Sequence, residues 1–213
     1  MLRRFHWRST FLVMALATMV TLWQALPIAA QPETLEQSEQ SPDQLTGDDF
    51  DKHFLLDMSL HHTLAIAMAG PAAANAAHQE TRDLASAIIT NQATENSMMA
   101  EWSDTWYGLD LPRMLATIIQ STQWPRAVVG QPATEEIPMA TMTGELWKLP
   151  PRRLEIVFLS QMIPHHQRAI AMAHLAPDRA GHQELQDLAG WIAQGQSAEI
   201  QRMNDLLASW YGL

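Results

Sequence analysis

The 213-residue chain contains no cysteine. That excludes disulfides, thiolate metal ligands and covalently attached c-type haem, so the folded chain depends on its apolar core. Basic residues are few: 13 Lys and Arg stand against 23 Asp and Glu, a formal charge of −10. An acidic chain repels nucleic acid and anionic membrane surfaces and attracts cations, which argues against a nucleic-acid partner. Glycine is scarce, at 9 residues, and β-branched residues do not dominate. Ala, Leu, Gln and Met take their place, and all four favour helix. Glu-x-x-His, which a di-iron carboxylate oxidase on a four-helix bundle requires, occurs nowhere.

The N-terminus reads as a targeting segment. Arg3, Arg4 and Arg8 form a basic stretch, Phe11 to Leu26 is an apolar run, and Ile28-Ala29-Ala30 is a plausible cleavage site. Residues 1–30 are therefore expected to be a signal peptide, with an uncleaved membrane anchor as the alternative. Without them 10 basic residues face 23 acidic ones, a balance of −13. The mature chain is expected to be periplasmic or secreted, with no membrane contact after cleavage. Residues 31–44, rich in Gln, Glu, Ser and Pro, read as a disordered linker.

The rest of the chain is a duplication. Residues 54–109 align without a gap to residues 158–213, at a constant offset of 104. His61-His62 matches His165-His166, and Ala65 to Ala69 matches Ala169 to Ala173. His78-Gln79-Glu80 matches His182-Gln183-Glu184. Gln92, Glu95 and Met99 match Gln196, Glu199 and Met203, and Trp106 to Leu109 matches Trp210 to Leu213. One domain over residues 45–213 follows, with repeat 1 at 45–109, an insert at 110–148 and repeat 2 at 149–213.

Each repeat reads as a helical hairpin. The first helix is expected from about Asp49 to Ala69, capped by Asp48 or Asp49 and ended by Gly70-Pro71. The second should run from about Asn75 to Tyr107, with Gly108 as its C-terminal cap. In repeat 2, Pro150 or Pro151 starts the third helix, and Pro164 should bend it locally. Pro177-Asp178 marks the turn, and the fourth helix runs to about Tyr211. Two hairpins that cannot bury their apolar faces alone predict an all-α four-helix bundle. The insert reads as a long crossover, with a short helix over Pro112 to Ser121 and loop at Trp124-Pro125 and Gln131-Pro132.

The candidate chemistry lies on the first helix of each hairpin. At about 100° per residue, Met58, His61, His62, Ala65 and Met68 share a sector of roughly 120°, and Met162, His165, His166, Ala169 and Met172 repeat it. With the turn near residue 73, an antiparallel partner places His78 beside Met68. By the same count His182 lies beside Met172, with His174 nearby. Each hairpin is then expected to assemble imidazole and thioether donors. Cu(I) takes thioether sulfur readily, and Cu(II) takes imidazole. Zinc gains little from methionine. Methionine on a helix face also serves as core filler, and a buried histidine is often held by hydrogen bonds alone. Paired histidines, however, are poor core choices. The faces carrying Gln92, Glu95 and Met99, and their copies, are expected toward the other end of the bundle in a structural role. The Trp106-Tyr107 and Trp210-Tyr211 pairs are expected to plug a bundle end.

At Met58-x-x-His61-His62 through Ala67-Met68-Ala69, and again at Met162-Ile163-Pro164-His165-His166 through Met172-Ala173, the sequence resembles the exported domain of unknown function 305 family. The resemblance spans about residues 45–213. It implies a ferritin-like four-helix bundle and copper binding of the kind described for cyanobacterial periplasmic copper-resistance proteins. Its implied ligands are His61, His62, Met58, Met68, His165, His166, Met162 and Met172. The first copy departs from it, with Ser59-Leu60 where the second has Ile163-Pro164.

The leading expectation is a non-catalytic copper-binding protein that sequesters the ion or passes it to an exporter or sensor. A helical interaction module without metal and a metal-dependent oxidase are the alternatives. Non-covalent haem held by His and Met would show as colour.

Overall fold

Chain segments rich in alanine, leucine and glutamine, broken only where glycine or proline intervenes, give long helices. The computed structural model describes residues 44–120 and 144–213. The expected signal peptide, all of the expected linker but Gln44, and the loop signals at Trp124-Pro125 and Gln131-Pro132 lie outside them. Among the described residues the helices are Gly47–Asn75 (α1), Gln79–Tyr107 (α2), Leu111–Gln120 (α3), Pro151–Ala173 (α4), Ala176–Arg179 (α5) and Gln183–Tyr211 (α6). α1 and α2 form one hairpin, and α4 and α6 the other; α1 and α4 pack against each other. The all-α bundle of two hairpins anticipated from the repeat is what the chain forms. Among the described residues no helix is long and apolar enough to cross a membrane.

The helix ends follow their local chemistry. Gly108 and Gly212 adopt φ of 63° and 67°, a left-handed cap that costs glycine nothing. Pro151 occupies the first turn of α4, where its missing N–H is harmless. At the start of α1 the cap is Thr46 rather than Asp48 or Asp49. The two aspartates lie inside the first turn, where a carboxylate favours the positive end of the helix dipole.

One boundary differs from expectation in a way that matters. α1 does not stop at Gly70-Pro71 but continues to Asn75. Proline inside a helix costs about 3 kcal/mol. Here Pro71, Ala72 and Ala76 are buried, and the residues after the proline are alanines, the best helix formers. The reversal therefore falls at Ala76 to His78 instead of near residue 73, and Asn75 belongs to α1 rather than α2. In repeat 2, α4 ends at Ala173, and Pro177 and Asp178 lie in the short helix α5.

α1 and α4 run antiparallel. Asp51, in the first turns of α1, bonds His182 beyond the end of α4, and Glu155, in the first turns of α4, bonds His78 beyond the end of α1. Two apolar clusters flank the middle of this seam. One joins Met68, Ala69 and Ala72 of α1 to Leu154, Phe158 and Met162 of α4. The other joins Phe50, Phe54, Leu55 and Met58 of α1 to Ala169 and Ala173 of α4. Each large side chain so buried contributes about 1.5–3 kcal/mol, so the clusters hold the layer between them in place. α3 covers Leu60 and Leu64 of α1 with Leu115 and Ile118.

Candidate metal centre

Between the two apolar clusters lies a polar layer. The His61 and His165 rings face each other across the α1–α4 seam, with centroids 3.6 Å apart and planes 39° apart. His62 and His166 sit 6.3 Å and 6.4 Å from their sequence neighbours and are fully buried. His61 is 7% exposed and His165 3%. Four imidazoles, two from each repeat, thus occupy the α1–α4 seam between two apolar clusters.

The second helix of each hairpin supplies a carboxylate. Glu95 on α2 approaches His62 Nε2 at 2.7 Å, and Glu199 on α6 approaches His166 Nε2 at 2.7 Å. In repeat 2 this contact is aligned as a hydrogen bond; in repeat 1 it is close but not aligned. A carboxylate on Nε2 favours the tautomer with the proton there, which leaves the lone pair on Nδ1. Nδ1 of both His62 and His166 is buried with no hydrogen-bond partner.

His61 and His165 are more isolated still. Neither ring nitrogen of either residue makes a well-aligned hydrogen bond; the His61 ring only approaches the backbone of His165. Burial, reinforced by the neighbouring histidines, holds both rings well below the ordinary histidine pKa. Both are therefore neutral at pH 7, the state in which imidazole offers a lone pair. The Gln92 and Gln196 amides, one turn before the glutamates, are also buried without partners. Most buried polar atoms in folded proteins are paired, so this concentration of orphaned donors and acceptors calls for an explanation.

Thioethers flank the layer. Met58 and Met162, one turn before the histidine pairs, are fully buried, as are Met99 and Met203, one turn after the glutamates. The repeats differ here. The Ser59 hydroxyl points at Met99 Sδ at 3.6 Å, whereas Ile163 holds the equivalent position in repeat 2. Among the described residues no three His, Asp or Glu side chains converge on one point. An ion bound here would draw on imidazole pairs or on imidazole with thioether. The donor set suits a soft, low-coordinate cation: Nδ1 of His62 and His166 backed by carboxylates, and unpartnered nitrogens on His61 and His165.

The structure sorts the candidate ligands. It brings His61, His62, His165 and His166 together and buries Met58 and Met162 beside them. Met68 is buried in an apolar cluster with Phe158, and Met172 lies half-buried at the surface. His174 is exposed at the end of α4. His78 is not paired with Met68 as the hairpin count suggested, because α1 runs seven residues, about 10 Å, beyond Met68 before the reversal.

His78 and His182 instead form two matching clasps between the repeats. His78 offers its backbone N–H and ring Nδ1 to the buried Glu155 carboxylate at 3.1 Å each, and the Thr81 hydroxyl donates to the same carboxylate. The His78 ring stacks on Trp210 at 3.9 Å. Burial pushes the Glu155 pKa up, but bonds from Thr81 and His78 outweigh it and leave the carboxyl below its usual range. At the other end Asp51 accepts the backbone N–H groups of Gly181 and His182 and meets His182 Nδ1 at 2.7 Å. The Tyr107 hydroxyl donates to Asp51 at 2.9 Å, and Trp106 stacks on the His182 ring at 3.9 Å. A Cβ on Gly181 would lie 3.2 Å from the Gly47 backbone and 3.3 Å from Asp51, so any larger residue would push these neighbours apart by a few tenths of an ångström.

Glu95 and Glu199 lie beside the histidine layer and not at the far end of the bundle, because the second helix of each hairpin begins only at Gln79 and Gln183, later than the expected turns.

No curated protein sequence matches the chain. Solved structures do. CopM in its Cu(II)-bound form is 30% identical, with a TM-score of 0.59, over 76% of this chain and 97% of that one. CopM in its Cu(I)-bound form is 29% identical, with a TM-score of 0.58, over 76% and 98%. A putative secreted protein from Streptomyces coelicolor is 29% identical, with a TM-score of 0.59, over 75% and 92%. The family model described as "Domain of unknown function (DUF305)" matches residues 23–148 and 155–213. With both repeats matched and the bundle shared with these structures, the chain belongs to the DUF305 family.

Proposed function

We propose that this protein binds copper, as Cu(I) in the first instance, in the histidine layer at the centre of the bundle. The observation that carries the reading is the set of buried ring nitrogens on His61 and His165 without well-aligned hydrogen-bond partners, kept neutral by burial. An arrangement that costs stability in the free protein is intelligible if a ligand satisfies it. The His62–Glu95 and His166–Glu199 pairs support the same reading, because a carboxylate behind an imidazole orients it and raises its basicity toward a metal. CopM, with a similar bundle, has been solved with copper and with silver bound.

Imidazole coordinates in the ring plane through its nitrogen, so the ion is held at the ring edges and not between the stacked faces. His61, His62, His165 and His166 are the residues that would hold it, with Met58 and Met162 as the nearest thioethers along the same helices. The bound ion is cargo, and the protein's part is to hold it in a closed, apolar setting and release it. The basic and apolar N-terminal segment supports work outside the cytoplasm, where sequestration or delivery to an exporter or sensor contributes to copper tolerance. Equilibrium dialysis of the mature protein against Cu(I) and Cu(II) tests the reading: at least one Cu(I) ion per chain is expected, and less than one counts against it.

A further inference from the structure

The duplication makes departures from symmetry informative. Because α1 and α4 are antiparallel and His61 faces His165, position 54 lies opposite 172 as position 158 lies opposite 68. The two methionines so related do not share a fate. Met68 is 1% exposed and sealed in a cluster with Phe158. Met172 is half-buried and forms one wall of a surface depression, with Phe50, His53, Phe54, Asp57 and Leu175 as the others.

The depression contains ionisable groups that the equivalent positions of repeat 2 lack. His53 and Asp57 correspond to Val157 and Gln161 in repeat 2. His53 Nε2 contacts Asp57 Oδ2 at 2.9 Å. That contact favours the proton on Nε2 and leaves Nδ1 as the ring's acceptor, the same device seen at His62 and His166. The remaining walls are apolar, and the Phe50 and Phe54 rings pack at 5.8 Å. Met172 stands seven residues beyond His165, about two helical turns along the same seam.

We infer that this depression is a second binding site for a soft monovalent cation, Cu(I) or Ag(I), held by the Met172 thioether and the His53 imidazole, with Asp57 behind the ring. A thioether and one imidazole nitrogen in an apolar setting suit a soft cation of low coordination number, and Cu(II), which prefers several nitrogen and oxygen donors, is a poor match. Asp57 supplies the charge that balances a monovalent ion. Substitutions at His53 and Met172 do not touch the histidine layer, so the two sites can be read separately.

The test is an Ag(I) titration of the full chain carrying 13C-labelled methionine methyl groups, with the Met172 signal assigned by Met172→Leu. The Met172 signal is expected to shift with Ag(I). His53→Gln, which keeps a polar partner for Asp57, is expected to weaken that response at least tenfold while leaving the ring signals of the four central histidines responsive. A Met172 signal that stays fixed through saturation overturns the inference, as does an unchanged Met172 response in His53→Gln. Central ring signals that never move, beside a Met172 signal that does, would defeat the proposed function and leave this site standing.

Discussion

Replacing His61 and His165 together by leucine should stabilise the metal-free protein. Each imidazole places two nitrogens in the core with no well-aligned hydrogen-bond partner. An unsatisfied buried polar group costs about 1–3 kcal/mol, and leucine is an apolar side chain of comparable bulk. After allowance for imperfect packing, the double variant is expected to gain about 2–4 kcal/mol. A protein of this size shifts about 2–4 °C per kcal/mol, so the apo melting temperature should rise by about 4–16 °C. The pH dependence should change as well. Below pH 6.5 these two histidines bind protons in the unfolded chain, while burial keeps them neutral in the folded one. The wild type therefore loses stability as pH falls below 6.5, by up to about 1.4 kcal/mol per pH unit for each ring, and the variant does not suffer this loss. Urea denaturation of both proteins between pH 7.5 and 5 measures both effects. A double variant less stable than wild type at pH 7, or one with an undiminished slope against pH, would refute the reasoning, because the rings would then have structural partners.

Other consequences follow from the clasps and caps. Glu155→Gln removes the charge from a fully buried carboxylate that accepts from Thr81 and twice from His78, and should cost about 3 kcal/mol at pH 7 in urea denaturation. Because the Glu155 pKa is depressed by folding, this contribution is present above the usual carboxyl pKa and fades as pH falls through the folded value; wild type and variant should therefore converge as the pH falls below the usual carboxyl range. Asp51→Asn should cost a similar amount. The two changes should add within about 0.5 kcal/mol, since they sit at opposite ends of the α1–α4 seam with no shared partner. Gly108→Ala and Gly212→Ala should each cost about 1 kcal/mol or more in thermal melts, because both positions need positive φ. His174→Ala should leave both stability and copper uptake unchanged, as the side chain is exposed.

The repeat, the helical hairpins and their glycine and proline boundaries were legible because those signals are local. Gly108, Gly212 and Pro151 mark ends that depend on one residue's own backbone freedom. Pro71 misled because its signal is local too, while the burial that outweighs it is tertiary. That single boundary moved the hairpin reversal. With it went the pairings of His78 with Met68 and of Glu95 with the far end. The histidine pairs were readable from their helical spacing, since residues three and four apart must share a face. The partners of His78 and His182 were not, because Glu155 and Asp51 lie on the other repeat and no local pattern joins them. The half-burial of Met172 and the full burial of Met68 were equally hidden, since both sit in the same Ala-Ile-Ala-Met-Ala run.

The most direct test compares Cu(I) affinity, measured by competition with a chromogenic chelator, in the wild type, in His61→Leu/His165→Leu and in His78→Gln/His182→Gln. The account predicts at least a hundredfold loss in the first variant, which remains folded, and a change of less than about fivefold in the second. Tight binding retained by the first variant, or lost in a folded second one, would contradict it.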